Sequence, residues 1–402
     1  MKSMFRSLHC ALALLMLWAA PVAAQKQYGP GVTDSEIKIG QTMPYSGPVS
    51  MLGTLGRAAA AYFEKVNAEG GINGRKLKLL SLDDGYSPPR TVEQTRRLVE
   101  QDEVLLIFQT IGTPTNTAIH KYLNAKKVPQ LLITTGASKW ADPKNYPWTM
   151  SGMPSYGTEG RVYARHILKT MPNAKIALLA QNDDFGRDYA DGIRAGLGER
   201  AKVMIVAEAT YEHTDATVDS QVLSLKASGA DALFLLANGK FVSQAIRKSH
   251  DLGWKPQIFL PLGSSSIASI LKPAGVERSV GAITAAYGKN PSDPQWANDP
   301  GIKEYFEFMK KYQPGADPLD QLNSGGYSAA RTLAHILKAC GDNLTRENVM
   351  RQALSLKDFT VPTFLPGIAL NTSPTDYEPF QQLRLQRFDG TSWVPFGDVL
   401  TR

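Results

Sequence analysis

Strand-like and helix-like segments alternate along this chain in two consecutive series, and no other feature of the sequence limits its fold as strongly. In the first series, apolar segments such as 104–108 and 130–134 are separated by helical patterns such as 115–124. A continuous apolar run like Val104 to Phe108 is typical of a strand covered on both faces, as in a parallel sheet. The alternation therefore predicts an α/β fold with doubly wound parallel sheets.

The same alternation restarts after Trp148. Helical patterns there separate four further predicted strands, at 175–180, 203–207, 232–236 and 257–260. Two series predict two Rossmann-like lobes with a cleft between them, because doubly wound sheets place their ligand-facing loops at the carboxyl ends of the strands. Segments 150–156 and 285–291 are predicted to connect the lobes, and the alternating apolar residues after Phe364 predict a late β-hairpin.

The first residues have the pattern of an export signal. Lys2 and Arg6 precede an apolar run from Leu12 to Ala20, which ends in small residues up to Ala24. The pattern predicts a signal peptide at residues 1–24, cleavage near Ala24 and a periplasmic protein. No later segment offers about 18 uninterrupted apolar residues, and the position of Cys10 at the start of the run does not favour a lipid anchor.

Composition excludes some classes of protein. Without residues 1–24 the chain keeps one cysteine, Cys340, so no intramolecular disulfide is predicted. The whole chain has a formal net charge of +7 without a run of Lys or Arg. This mild excess does not indicate nucleic-acid binding and fits either simple solubility or a mildly anionic ligand.

No catalytic or cofactor motif is present. The sequence lacks the glycine-rich phosphate and dinucleotide loops, the His-Glu-x-x-His zinc motif and the Gly-x-Ser-x-Gly nucleophile turn. Its histidines stand singly, and the adjacent acids Asp83 and Asp84 point apart at a strand end, which favours loop capping over a shared proton. We therefore predict no enzyme, no cofactor and no metal site.

Two loops that follow neighbouring strands carry hydroxyl groups and glycine. Residues 109–116 include Thr110, Ile111, Gly112 and Thr113 just before a helix, and residues 134–138 end in Ala137 and Ser138. Backbone N–H groups and hydroxyls at a helix N-terminus can hold a carboxylate without a positive side chain. The alternative is that the threonines only cap their own helix.

The facing wall is predicted from strand ends in the second series. Tyr156, Phe185, Asn238 and the segment Leu262-Gly263-Ser264 are the residues that these ends would supply. Ligand pockets commonly combine aromatic walls with a few polar groups.

In its order of motifs the chain resembles the branched-chain amino-acid-binding family of periplasmic binding proteins, the type I receptors of ATP-driven uptake (ABC) transporters. The motifs are Ile37 to Gly40, Tyr45 to Pro48, Asn67 to Gly74, Asp83-Asp84, Gly112 to Thr115, Gly136 to Ser138 and Asn182 to Gly186. The resemblance implies two lobes joined by three crossings, hinged closure, transfer to a membrane permease and a monomer. It places the N-terminal lobe at 28–153 plus 286–365 and the C-terminal lobe at 154–285 plus 366–402.

The resemblance also implies residue roles. In amino-acid-binding members the ligand carboxylate is held by the loops matching Ile111 to Thr113 and Ala137-Ser138, and an aromatic residue matching Phe185 packs on the ligand. The family's glutamate for the ligand ammonium is replaced by Leu262, and its tyrosine on the preceding strand end by Asn238. The family's small disulfide is missing as well, since its positions match Tyr86 and Ile111.

These departures predict the ligand class. A buried ammonium without a carboxylate partner costs several kcal/mol, so the pocket is predicted to take a carboxylic acid without an amino group. We favour an aromatic acid resembling benzoate, a phenylpropenoate or an aryl keto acid, with aromatic residues as stacking surfaces. Lys139 is either a partner of the acid or a solvated loop residue. The predicted ligand-binding residues are Tyr45, Leu52, Thr110, Ile111, Gly112, Thr113, Ala137, Ser138, Tyr156, Phe185, Asn238, Leu262, Gly263 and Tyr287.

Other functions remain open from the sequence. One is a receptor for branched-chain or other amino acids. Another is a secreted hydrolase that uses a hydroxyl of Ser264, Ser265 or Ser266, although no histidine lies near that loop in sequence. A third is a ligand-binding protein that serves a separate signalling partner.

Overall fold

The computed structural model describes residues 26–401, which form two lobes, each built on one main sheet. The predicted signal peptide, residues 1–24, lies outside the described residues. Between residues 26 and 401, no helix has the length and apolarity that a membrane crossing requires.

The strands of the described chain are mostly short. In chain order they are β1 (Gln27–Tyr28), β2 (Glu36–Met43), β3 (Lys76–Asp83), β4 (Leu106–Phe108), β5 (Gln130–Ile133), β6 (Thr149–Ser151), β7 (Ile176–Gln181), β8 (Ile205–Tyr211), β9 (Ala232–Leu236), β10 (Gln257–Phe259), β11 (Ile283–Ala286), β12 (Asn343–Leu344), β13 (Gln382–Phe388) and β14 (Trp393–Thr401).

The helices separate most of these strands. They are α1 (Gly53–Ala68), α2 (Pro88–Glu100), α3 (Thr113–Ala125), α4 (Tyr156–Thr170), α5 (Asp184–Leu197), α6 (Ala201–Met204), α7 (Asp219–Ala227), α8 (Lys240–Asp251), α9 (Lys272–Ala274), α10 (Pro300–Tyr312), α11 (Gln321–Ala339) and α12 (Arg346–Ala353). Short 3-10 turns complete several loops, including Leu262–Ser264 after β10.

The first lobe contains a five-stranded parallel sheet in the order β3-β2-β4-β5-β6. Every residue of β4 and β5 is buried, which fits strands covered by helices on both faces. The second lobe contains a seven-stranded sheet in the order β14-β13-β11-β10-β9-β7-β8. Its strands β7 to β11 are parallel, and the hairpin β13–β14 adds to β11 in antiparallel fashion. The predicted α/β class and the late hairpin are confirmed.

The chain passes between the two sheets three times. It leaves the first sheet after β6, returns after β11 to helices α10, α11 and α12, which pack on α1 and on each other, and crosses again to β13. The carboxyl ends of both parallel sheets therefore border one cleft, which is the arrangement that binds ligands in doubly wound folds.

Several predicted boundaries are wrong. Val203 was predicted to begin a strand, but it lies in α6 with 73% of its surface exposed, and β8 starts at Ile205. An apolar residue on an exposed turn is not evidence of a buried strand. The predicted connections 150–156 and 285–291 also contain regular structure, because they include part of β6, the start of α4 and the end of β11.

Candidate ligand-binding site

A cavity of about 130 Å³ lies between the lobes. Loops and helix ends of both lobes form its wall. Its lining residues are Leu52, Leu55, Tyr86, Ile111, Gly112, Thr113, Thr134, Met153, Tyr156, Phe185, Tyr189, Asn238, Pro261, Leu262, Gly263, Ser265, Ser266, Ala285, Ala286, Tyr287, Gly288, Lys289, Gln321, Leu322, Ser324, Gly325, Ser328, Thr363 and Gln386. Apolar and aromatic side chains dominate, and no Asp or Glu is among these residues.

One end of the cavity is formed by packed aromatic rings. The ring of Tyr156 stacks on that of Tyr189 with centroids 4.4 Å apart, and Phe185 meets Tyr156 edge-on at 5.1 Å. Tyr156 and Phe185 belong to the first turns of α4 and α5, where the helices begin at strand ends. Burial raises the pKa of Tyr156 to about 12, so its hydroxyl stays protonated in the neutral range.

The loop before α3 brings backbone and hydroxyl groups to the opposite side. Gly112 has a φ of +93°, and a Cβ atom there would lie 2.3 Å from the ring of Tyr86, so only glycine fits. Its N–H donates to the carbonyl of Thr134 at 3.2 Å, which joins the two hydroxyl-bearing loops. The hydroxyl of Thr113 lies 2.7 Å from that of Thr135. The N-terminus of α3 therefore reaches the cavity wall at Thr113.

The wall of the second lobe is the turn that contains Leu262. Its backbone N–H donates to Oε1 of Glu159 at 2.8 Å, and Asn238 accepts a hydrogen bond from Ser264 at 3.0 Å. Leu262 and Gly263 both line the cavity, so hydrocarbon occupies the place where the resemblance puts a glutamate.

Glu159 lies behind this wall and was not predicted from the sequence. Its side chain is fully buried and accepts hydrogen bonds from Leu262, Tyr163 and Tyr189. Burial raises its pKa to about 7, against the opposing effect of these hydrogen bonds. A sequence signal existed, because Glu159 stands on the apolar stripe of α4 four residues before Tyr163.

Lys289 is the lysine of the lining, and it is already paired. Its ammonium lies 2.8 Å from each carboxylate oxygen of Asp299 and 2.8 Å from the carbonyl of Pro362. All three ammonium protons thus have acceptors. The charge of Lys289 is therefore balanced by that of Asp299.

Most of the predicted ligand-binding residues lie in the lining. They are Leu52, Ile111, Gly112, Thr113, Tyr156, Phe185, Asn238, Leu262, Gly263 and Tyr287. Whether they contact a ligand stays a prediction.

Four predicted residues lie outside the lining, and the structure gives each another partner. The hydroxyl of Tyr45 hydrogen-bonds Ser81 at 2.7 Å, and that of Thr110 bonds Asn116. Ala137 is buried in the apolar core of the second lobe. Ser138 donates both its N–H, at 2.8 Å, and its hydroxyl, at 2.6 Å, to Asp188.

Polar contacts cross the cleft beside the cavity. Besides Ser138 and Asp188, the ammonium of Lys139 lies 2.5 Å from Asp184 on α5. Lys139 is therefore paired with Asp184 while 28% of its side chain stays exposed, and it lies outside the cavity lining. At another point of the rim, Ser266 and Ser269 donate to Asp320 at 2.8 and 3.2 Å. These contacts join the two lobes.

The serines considered for hydrolysis are used as hydrogen-bond donors. Ser264 donates to the carbonyl of Ala237, Ser265 to that of Leu262, and Ser266 to Asp320. No hydrogen bond joins any of them to a histidine within residues 26–401. The described residues also contain no cluster of His, Cys, Asp or Glu suited to a metal ion.

Sequence reasoning missed the lining residues that lie beyond the first turn of α5 and on α11. Tyr189 lies on the second turn of α5, and Ser324, Gly325 and Ser328 lie on α11. Their spacing of three to four residues is a helical-face signal, but it does not indicate which face borders a cleft.

Comparison with known proteins agrees with this architecture. A family model described as periplasmic binding protein matches residues 36–392. The Leu/Ile/Val-binding protein homolog 7 of Brucella suis is 24% identical over 363 residues, which covers 87% of this chain and 85% of the relative. An amino acid binding protein of Pseudomonas aeruginosa is 23% identical, with 77% and 80% covered.

Solved structures share the fold. A substrate-binding periplasmic protein from Ralstonia solanacearum superposes with a TM-score of 0.81 at 25% identity, covering 90% of this chain and all of that one. A branched-chain amino acid ABC transporter protein from Thermus thermophilus with bound valine gives 0.82 at 17% identity, with 92% and 98% covered. A fatty acid ABC transporter substrate-binding protein from Thermomonospora curvata gives 0.76 at 22% identity, with 94% and 95% covered.

Proposed function

This chain belongs to the periplasmic binding protein family, whose model matches residues 36–392, and on that basis we propose that it is a periplasmic receptor of an ABC-type uptake transporter that captures a small aromatic carboxylic acid. The family consists of binding proteins, as the sequence predicts, and not of enzymes. The receptor acts by closing its two lobes on the ligand as a monomer and presenting the closed form to a membrane permease. The lobe limits given above, and cleavage near Ala24, are part of this proposal.

The observation that carries the ligand class is the chemistry of the second-lobe wall. Leu262 lines the cavity, and no acidic side chain does. The oxygens of Glu159 lie behind this wall and accept three protein donors. An α-amino acid would have to place its ammonium in this cavity without a carboxylate partner, at a cost of several kcal/mol.

The loop before α3 supports binding of the carboxylate. Gly112 and Thr113 lie at the N-terminus of α3, where unpaired N–H groups and the helix dipole favour negative charge. The hydroxyl of Thr113 lies 2.7 Å from that of Thr135 and can donate toward the cavity when Thr135 donates its own proton to Thr113. This arrangement binds an anion without a basic side chain.

The size and surface of the cavity support a single aromatic ring. Its volume of about 130 Å³ is similar to the roughly 150 Å³ of an apolar cavity known to accept benzene. The rings of Phe185 and Tyr287 and the side chain of Leu262 line it. A long acyl chain exceeds this space, whereas a ring with a short acidic group fits it.

Binding of branched-chain amino acids is the second candidate. It is favoured by the relatives named Leu/Ile/Val-binding protein homologues, which cover most of this chain. Under this alternative the ammonium would rest on neutral oxygens such as those of Asn238, Ser265 or Gln321.

A thermal-shift screen with matched pairs separates the two candidates. Phenylpyruvate and phenylalanine share ring and carboxylate and differ in the ammonium, and the keto acid of leucine and leucine form a second pair. We expect aromatic acids, including benzoate, cinnamate and phenylpyruvate, to raise the melting temperature, since a ligand at about 100 times its Kd adds roughly 2.7 kcal/mol of stability. A shift with leucine or valine and with none of the acids would overturn the proposal. Calorimetry then gives the Kd values.

A further inference from the structure

One buried acid stands directly behind the wall of the cavity. Glu159 lies in the first turn of α4 with no exposed surface. No Lys, Arg or His of residues 26–401 forms an ion pair with it. A buried carboxyl group without a basic partner is uncommon, because burial disfavours its charged form.

The contacts of Glu159 connect it to the cavity on two sides. Its Oε1 accepts from the N–H of Leu262 at 2.8 Å, and its Oε2 accepts from the hydroxyl of Tyr189 at 2.7 Å. Leu262 and Tyr189 both line the cavity. Only Leu262 on one side and Tyr189 on the other therefore stand between the carboxyl group and a ligand in the cavity.

The surrounding hydrogen bonds allow Glu159 to hold or release a proton without moving. In the charged form, Tyr163 donates its hydroxyl proton to Oε1. In the neutral form, the acid proton on Oε1 can point to Tyr163, whose own proton then points to the carbonyl of Leu260 at 2.7 Å. The hydroxyl of Tyr163 also accepts the N–H of Ala285 at 2.9 Å, so every group keeps a partner in both forms.

The groups that face Glu159 are neutral, so none of them fixes its charge before a ligand binds. From α4 and α5 it is faced by the phenols of Tyr156, Tyr163 and Tyr189, which burial keeps neutral by raising their pKa values. The turn at Leu262 and strand β11 present backbone groups and Thr284 to this network. His166, further along α4, is half-buried against aromatic rings, and burial lowers its pKa.

A carboxylate that enters the cavity brings a second negative charge into the same region of low dielectric. Two negative charges there repel each other, so the state of lower free energy has one of the two carboxyl groups protonated. Burial already raises the pKa of Glu159 to about 7, which leaves both of its forms accessible near neutral pH. The proton comes from solvent and forms the neutral acid of Glu159.

Resting on the proposed function, we propose that Glu159 is a specificity-determining residue that senses the charge of the ligand through the wall, so that binding of a carboxylate is accompanied by uptake of a proton at Glu159. It touches Leu262 and Tyr189 and not the ligand itself. A zwitterion that places an ammonium against this wall would bind better to charged Glu159. Its binding would therefore be accompanied by release of a proton from Glu159.

Calorimetric titration of three proteins tests this inference. They are the wild type, Glu159→Gln, which keeps the shape and the acceptor oxygen, and Glu199→Gln, which makes the same change at a residue exposed on the same lobe. Each is titrated with the acids and amino acids of the screen above at several pH values, in buffers with different ionisation heats.

For a carboxylate, we expect the wild-type Kd to rise several-fold between about pH 6 and about pH 8, with a limit of tenfold per pH unit for full linkage. We expect Glu199→Gln to behave like the wild type. Glu159→Gln should bind with a Kd that is nearly independent of pH in this range and should take up no proton. Circular dichroism and melting curves of the variants check that the fold is retained.

The outcomes separate this inference from the proposed function. Equal pH profiles and equal proton uptake in the wild type and Glu159→Gln would overturn the role of Glu159, whatever the ligand. If only amino acids bind, the proposed function fails. In that case a Kd that falls with rising pH in the wild type and stays flat in Glu159→Gln would still support charge sensing at this residue, and equal profiles would refute it.

Discussion

Individual backbone positions set the shape of the cavity wall. The loop between β4 and α3 turns at Gly112, whose φ of +93° and contact with the Tyr86 ring exclude a side chain. Gly74 has a similar φ of +82°, but a Cβ atom there would meet nothing within 4 Å. A Cβ atom would therefore meet a steric overlap at Gly112 and none at Gly74.

Replacement of Gly112 by alanine should destabilise the protein more than replacement of Gly74. We expect a loss of about 1 kcal/mol for Gly74→Ala, from the left-handed conformation alone, and a loss of more than about 3 kcal/mol for Gly112→Ala, because the ring of Tyr86 must also move. Urea unfolding curves measure both values. Equal losses of stability would show that the ring of Tyr86 moves aside without a cost in free energy.

Glu159 should make stability depend on pH even without a ligand. Its pKa in the folded protein is about 7 and its ordinary value is 4.5, so the folded state binds the proton more tightly. The resulting contribution to stability is fully present below about pH 4.5 and is lost as the pH rises through about 7. We expect the free energy of unfolding of the wild type, relative to Glu159→Gln, to fall by up to about 3 kcal/mol over this range. A constant difference would contradict the raised pKa.

At the residue scale, the sequence located groups at strand ends better than groups on helices. Phe185 and Thr113 follow strands, and the topology of a parallel sheet places such residues at the cleft. Tyr189 and Glu159 lie inside helices, where the choice of face depends on how α4 and α5 pack. Ser138 was predicted to bind the ligand, but it lies outside the cavity lining and bonds Asp188 of the other lobe, a contact that no local pattern indicates.

At the scale of elements, the alternation of strands and helices predicted most of the strands in the two sheets. The wrong assignments concern short elements and an exposed apolar residue, where the sequence pattern does not indicate burial. β6 and β11 were taken for connections because each has at most four residues before the chain changes lobe. Exposed Val203 was taken for a strand residue although it lies in a short helix. Short elements carry too few residues for a periodicity to be recognised.

The turn after β5 and helix α5 should act together in closure of the lobes. Ser138 donates to Asp188 through both N–H and hydroxyl, and both residues lie outside the cavity lining. We expect Ser138→Ala and Asp188→Ala each to weaken ligand binding by destabilising the closed form, with a coupling energy of about 0.5–3 kcal/mol in the double variant. Binding measurements on the four proteins of the cycle give this energy. Additive effects would show that the contact between Ser138 and Asp188 does not contribute to closure.

At the scale of the whole molecule, three crossings of the chain and a cavity between the lobes are the structural basis of hinged closure. The two βα series predicted two lobes with a cleft between them, and the resemblance to the binding-protein family implied the three crossings. The sequence did not predict the contribution of α11 to the cavity, since that helix follows the second series in the chain and returns to the first lobe.

Ligand binding should make the protein more compact. A ligand that contacts both lobes binds the closed form better than the open form and therefore shifts the population towards closure. We expect small-angle X-ray scattering to show a smaller radius of gyration with saturating ligand than without it, and a weaker change in Asp188→Ala, which lacks a cross-cleft contact. An unchanged radius in the wild type would mean that the lobes are already together before binding.

The three crossings also determine how this protein can be divided. Strands β2 to β6 and helices α10 to α12 serve one half, whereas the intervening stretch and the final hairpin serve the other. A gene shortened at either end leaves a fragment of one half attached to the other half, so it cannot yield either half alone. To obtain one half as an independent polypeptide, an engineer has to splice distant coding segments and bridge the junction with new residues.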